Sequence, residues 1–146
     1  MDRNKISVGN SGEYFVAAEL ERRGYTCAVP MSNTKDFDIL AIRRDNNHQN
    51  AIQVKTTSRG IKQWALNAKN EQLIGDNIIY VFVVLNGLAN PEYHIVPSSV
   101  VAEYIHTYHQ KWLMTPGKNG QKHKDTSLRA FEDKNDEYLD KWELLK

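Results

Sequence analysis

The stretch Asp36-Phe-Asp-Ile-Leu-Ala-Ile42, the turn Arg43-Arg-Asp-Asn-Asn-His-Gln-Asn50 and the run Ala51-Ile-Gln-Val-Lys55 decide the fold. Side chains alternate along a strand, so Asp36 and Asp38 share one face, as do Gln53 and Lys55. Phe37, Ile39, Ile52 and Val54 point the other way, into a core. The Asn-rich turn favours reversal of the chain and antiparallel pairing of the two runs. Carboxylate, amide and ammonium groups then converge. A carboxylate can hold a divalent cation and an amide oxygen can complete its shell. A lysine two residues on can orient a water or offset charge growing on a phosphate.

Working outward, Glu13 to Arg23 reads as a helix, with Val16, Ala17 and Leu20 on one stripe and Gly24 ending it in a left-handed cap. Glu13 falls on that stripe, facing the sheet, where a carboxylate needs a partner. Asn10-Ser-Gly-Glu13 also reads as a capping box, with Glu13 bonding back to the Asn10 backbone, and both uses stay open at this point. Strands are expected at 25–30, 37–43 and 50–56. Residues 61–73 suggest a short strand around Trp64-Ala-Leu66 and then a helical turn from Lys69 to Leu73. Asn77 to Leu85 is the strongest strand, apolar on both faces as a strand covered on both sides must be. Asn86-Gly87 turns it, and Glu92 to Val96 pairs next. Pro97-Ser-Ser99 opens a helix to about His109 with Ser as N-cap. A last helix is expected near Asp136 to Leu145, burying Tyr138, Leu139 and Trp142.

A chain of 146 residues with 40% hydrophobic and 25% charged content fits one compact domain over 1–146. The net charge of +1 argues against coating nucleic acid through bulk charge and leaves room for a local basic face. With one cysteine, Cys27, no intramolecular disulfide can form, which fits a reducing cytoplasm. Its apolar surroundings predict a buried core thiol. No apolar run reaches the length of a membrane span.

The chain resembles the PD-(D/E)xK nuclease superfamily, which includes type II restriction endonucleases, archaeal Holliday-junction resolvases and modified-DNA restriction enzymes. Four features carry the resemblance: the helix opened by Asn10-Ser-Gly-Glu13, Asp38 as the first half-motif, Gln53-Val54-Lys55 as the second, and their order along the chain. Gln stands where Glu is commoner, a variant that the modified-DNA restriction branch also shows, and no proline precedes Asp38. The resemblance implies an α/β fold with a restriction endonuclease-like core, a mixed central sheet flanked by helices. It implies a metal-dependent DNA endonuclease that leaves a 5′-phosphate and a 3′-hydroxyl. Mg²⁺, or Mn²⁺ in its place, would be held by Asp38, the Gln53 amide, the Val54 carbonyl and Glu13, with Lys55 acting on the attacking water and the phosphate. Gln53 removes a negative charge, so Mg²⁺ is expected to bind more weakly than at a three-carboxylate site. No small-molecule cofactor is implied, and cutting both strands of a duplex is easiest for a homodimer.

Two alternatives are carried beside it. One is a nuclease-fold DNA-binding or accessory module that has lost most catalysis, and the other is an α/β interaction domain without a nucleic-acid partner. The basic loop with Lys118, Lys122, His123 and Lys124, together with Arg129, is either a solvated surface or a set of phosphate contacts. His94, His106 and His109 lack a third ligand at metal-site spacing and read as structural or surface residues.

Overall fold

A computed structural model describes residues 3–31 and 37–146. Asp36, expected to share a face with Asp38, lies outside the described residues. The elements are α1 (Arg3–Arg22), β1 (Tyr25–Ala28), β2 (Ile39–Arg43), β3 (Gln49–Thr57), β4 (Gln63–Asn67), β5 (Ile78–Asn86), β6 (Ala89–Pro97), α2 (Ser98–Met114) and β7 (Leu128–Glu132). Short 3-10 turns cover Ala68–Glu71 and Trp142–Leu144. Among the described residues the main sheet has five strands in the order β1-β2-β3-β5-β6, and β4 pairs with β7 in a small second sheet. β3 and β5 run parallel while the other neighbours are antiparallel, so the sheet is mixed, as expected.

Two apolar layers hold the sheet between its helices. Val16 and Leu20 of α1 pack on Ile39, Ile52, Val54, Ile79, Val81 and Val83. On the other face Tyr80, Phe82 and Val84 meet Val101 and Ile105 of α2, with Trp64 and Phe131 from the small sheet. β5 serves both layers, which is why its sequence is apolar throughout. Phe82 and Phe131 stack at 4.7 Å, and the Trp64 indole N–H donates to the Val83 carbonyl at 2.9 Å. Among the described residues no helix is long and apolar enough to cross a membrane.

Five expectations are corrected. α1 begins at Arg3, so Asn10 lies inside the helix, exposed, and the capping-box role of Glu13 falls away. Ser98 does not cap α2: its hydroxyl donates to the Gly75 carbonyl and accepts from the Gly75 amide, tying α2 to the loop before β5. The expected helix from Asp136 to Leu145 is a series of turns ending in a 3-10 turn, with Asp136 and Asp140 at φ of 58° and 53°. That segment instead runs along β6, where the Ile95 amide donates to the Tyr138 carbonyl and the Asp140 amide to the Tyr93 carbonyl. It thereby covers an edge strand that would otherwise offer open backbone groups. β7 was not expected at all. Cys27 is half-buried rather than sealed in the core, and burial pushes its thiol up to about 11.

Candidate active site

The site is built where β2 stops accompanying β3. Ile39, the first residue of β2, stands opposite Ile52, whereas β3 continues to Thr57 alongside β5. Asp38 spans the gap: its amide donates to the Ile52 carbonyl at 2.9 Å, and its Oδ2 accepts from the Val54 amide at 2.8 Å. The amide and carbonyl of one strand residue point to the same edge, so the Val54 carbonyl opens on the Asp38 side. Gln53 and Lys55 project from the opposite face to Val54, beside Tyr80 and Phe82 in the β3–β5 register. Gln53 is 8% exposed and Lys55 is half-buried.

Glu13 reaches this end of β3 because α1 comes unusually close to it. A Cβ on Gly12 would lie 1.8 Å from Thr56 Oγ1, so only glycine lets the helix settle there. The next residue is Glu13, half-buried. Its carboxyl is raised above the ordinary carboxylate range, first by burial and then by the charge of Asp38, while Lys55 pulls it down. The charges of Asp38 and Lys55 therefore both reach Glu13. Gln53 and the Val54 carbonyl belong to the same stretch of β3.

Two neighbours escaped the sequence reading. Tyr80 is fully buried, and its hydroxyl accepts from the Asn70 side chain at 2.9 Å. Burial raises the Tyr80 phenol, Asn70 opposes this, and the charge of Asp38 adds to the rise, which sets Asp38 and Tyr80 in one electrostatic neighbourhood. Asn70 is fixed in turn, its Oδ1 accepting from the Asn67 amide in a reciprocal cap. The Asn67-x-x-Asn70 spacing was the available signal.

Among the described residues no three His, Cys, Asp or Glu side chains gather as a cation site. A cation at this place would have to draw on mixed oxygens: the carboxylates of Asp38 and Glu13, the Gln53 amide and the Val54 carbonyl. All are hard donors. The three histidines each meet a carboxylate, His94 with Asp133 at 2.6 Å, His106 with Glu71 at 3.2 Å and His109 with Asp125 at 2.8 Å. Lys118, Lys122 and Lys124 are exposed on the loop after α2, which packs back on that helix through His123 and Asp125.

No protein-family model matches the chain, and no curated protein matches it in sequence. Solved structures match its fold, two nucleases among them. The bacterial homing endonuclease I-Ssp6803I superposes with a TM-score of 0.56 at 11% identity, over 94% of this chain and 87% of that one. The Holliday junction resolvase Hjc of the archaeal hyperthermophile Archaeoglobus fulgidus superposes with a TM-score of 0.50 at 14% identity, over 86% of this chain and 84% of that one. Identities this low speak for architecture alone, and the mixed five-stranded sheet flanked by helices is the restriction endonuclease-like fold of these two nucleases.

Proposed function

We propose that the chain is a metal-dependent DNA endonuclease that hydrolyses phosphodiester bonds at the end of β3 beyond its pairing with β2. The observation that carries this reading is the Val54–Asp38 hydrogen bond, which sets the carboxylate beside the strand residues Gln53 and Lys55 within a nuclease-like fold, with Glu13 close enough to feel the charges of Asp38 and Lys55. Two carboxylates in a half-buried place repel one another, and positive charge relieves them. Mg²⁺, or Mn²⁺ in its place, suits the oxygen donors of Asp38, Glu13, Gln53 and Val54. When bound, such an ion stabilises phosphate charge and makes water more acidic.

The protein's own groups have separate tasks. The Val54 amide fixes one oxygen of Asp38 and so aims the carboxylate. Lys55 positions the attacking water and stabilises charge on the pentavalent phosphate, leaving a 5′-phosphate and a 3′-hydroxyl. Lys118, Lys122 and Lys124 contact backbone phosphates without reading sequence. Cutting both strands brings two copies together about a two-fold axis.

Gln53 favours a second reading, a DNA-binding or accessory module with weak or no catalysis, because an amide adds no charge to the ion site. Incubation of supercoiled, linear and branched DNA with Mg²⁺ or Mn²⁺ separates the two. Cleavage that EDTA stops supports the endonuclease, and DNA binding without cleavage of any form transfers preference to the accessory module.

A further inference from the structure

A cleft lies on the α2 side of the molecule, between α2 and β7. It has a volume of about 320 Å³, and Ile105, Tyr108, His109, Trp112, Leu128 and Arg129 line it. That is the small end of the range for clefts that take small organic groups. Its wall is aromatic: Trp112 stacks on His123 at 4.1 Å and on His109 at 5.6 Å, and Tyr108 stacks on Tyr104 at 6.2 Å. Tyr108 and Leu128 are 51% and 71% exposed, so apolar surface faces solvent at its mouth.

The charge around the cleft is one-sided. Acidic residues near it are paired, Asp125 with His109, Glu71 with Arg129 at 2.6 Å and Glu132 with Lys134 at 2.9 Å. The loop Thr115-Pro-Gly-Lys-Asn-Gly-Gln-Lys-His-Lys-Asp125 carries three lysines and one acidic residue, Asp125, and His123 of that loop is the ring stacked on Trp112. Lys122 and Lys124 flank His123, Lys111 precedes Trp112, and none of these lysines forms an ion pair among the described residues. Aromatic walls next to a lysine-bearing loop complement a flat aromatic ring carried between two phosphates.

We propose that this cleft takes an unpaired nucleobase of a bound DNA strand, stacked against Trp112 and Tyr108, with Lys122 and Lys124 on the flanking phosphates. Stacking on aromatic side chains is indifferent to base identity, because every base has a π-face. The cleft thus gives the protein a preference for DNA with a single-stranded segment rather than for a sequence. The inference rests on DNA being the ligand proposed above, and it adds an element of structure to be recognised.

The test measures binding, without cleavage, of a labelled blunt duplex and of the same duplex carrying a short thymidine overhang, with Ca²⁺ as the divalent ion. Wild type is expected to bind the overhang form about tenfold more tightly, the gain from stacking one base. Trp112→Ala should lose that preference. Tyr108→Ala should reduce it too, and this half-exposed position keeps the test valid if the first variant fails to fold. Equal binding of both forms by wild type overturns the cleft and leaves the nuclease reading standing, whereas failure to bind either form sinks both. A monomer that dimerises through this face, shown by Leu128→Asp changing its size in gel filtration, also overturns the proposal.

Discussion

The Val54 amide donates to Asp38 Oδ2 at 2.8 Å, so the residue that precedes β2 is fastened to the strand that carries Gln53 and Lys55. One carboxylate oxygen thus supplies the acceptor that the end of β2 does not give the Val54 amide. Structure and chemistry depend on the same side chain.

Substitutions at Asp38 should separate these two duties. Asp38→Ala leaves the Val54 amide without its acceptor and is expected to lower stability by about 1–3 kcal/mol. Asp38→Asn keeps an oxygen in place and should cost much less. Wild type is expected to rise in Tm with Mg²⁺ through binding to the folded state, and both variants should lose that rise. Thermal unfolding with and without Mg²⁺ reads both effects, and a full Mg²⁺ response in Asp38→Asn removes Asp38 from the ion site.

Gly12 sets the distance between α1 and β3. Gly12→Ala places a methyl 1.8 Å from Thr56 Oγ1 and 2.9 Å from Thr56 Cβ, so the helix must move and Glu13 with it. Overpacking of this kind costs about 1–3 kcal/mol. Thr56→Ala in the same protein removes the nearer clash and leaves the farther one, so it should restore stability in part. Calorimetry of the two single variants and the double variant gives the coupling, and simple additivity would mean that the two residues do not meet.

Glu13 gives the protein a pH dependence of defined sign. Its folded carboxyl lies above the ordinary value of 4.5, first through burial and then through Asp38. A raised pKa means that the folded state holds the proton more tightly than the unfolded chain. The associated stability is complete below the ordinary value and is lost as pH rises through the raised one. Without divalent ions, Glu13→Gln should therefore gain on wild type between about pH 4 and about pH 8, by less than about 1 kcal/mol because the site is partly solvated. Mg²⁺ should reverse the order. Denaturant titrations at both pH values check this, and parallel stability curves for the two proteins would contradict the coupling.

Much of this arrangement was legible because the decisive elements carry their own periodicity. β3 alternates in sequence over Ile52-Gln-Val-Lys55, β5 is apolar from Ile78 to Leu85, and Gly24 marks the end of α1 with a φ of 99°. The start of α1 was hidden because Ser7, Gly9 and Asn10 are weak helix formers, so the first half of the helix has little local preference. The false helix after Asp136 came from the spacing of Tyr138 and Trp142, yet that segment spends its backbone on β6 instead. Asp133 pins it there by accepting from the amides of Glu137 and Tyr138 while pairing with His94, a partnership between distant residues that no local pattern contains. Tyr80 likewise joined the site only through the parallel register of β3 and β5.

Gln53→Glu should act in opposite directions with and without metal. Gln53 is 8% exposed, and a third carboxylate there would repel Asp38 and Glu13, so the ion-free protein should lose stability. With Mg²⁺ the added charge should tighten binding by about tenfold, since affinity follows the charge of the ligand set. Isothermal titration of wild type and variant gives the comparison. Equal affinity, together with Mg²⁺ binding by Asp38→Ala that matches wild type, would mean that no ion is held here.

Lys55 and the basic loop should fail in different ways, because one is assigned to the transition state and the other to binding. Lys55→Ala is expected to slow single-turnover cleavage by roughly 10²–10³-fold, the usual loss when one preorganised charge is removed, while DNA affinity in Ca²⁺ stays close to wild type. Replacing Lys118, Lys122 and Lys124 together should weaken DNA binding and flatten its salt dependence, because each phosphate contact releases counterions. Cleavage at saturating DNA should then be little changed. Binding at several salt concentrations beside single-turnover rates separates the two classes. Undiminished cleavage by Lys55→Ala would remove the ammonium from the mechanism, and an unchanged salt slope in the triple variant would leave the loop as solvated surface.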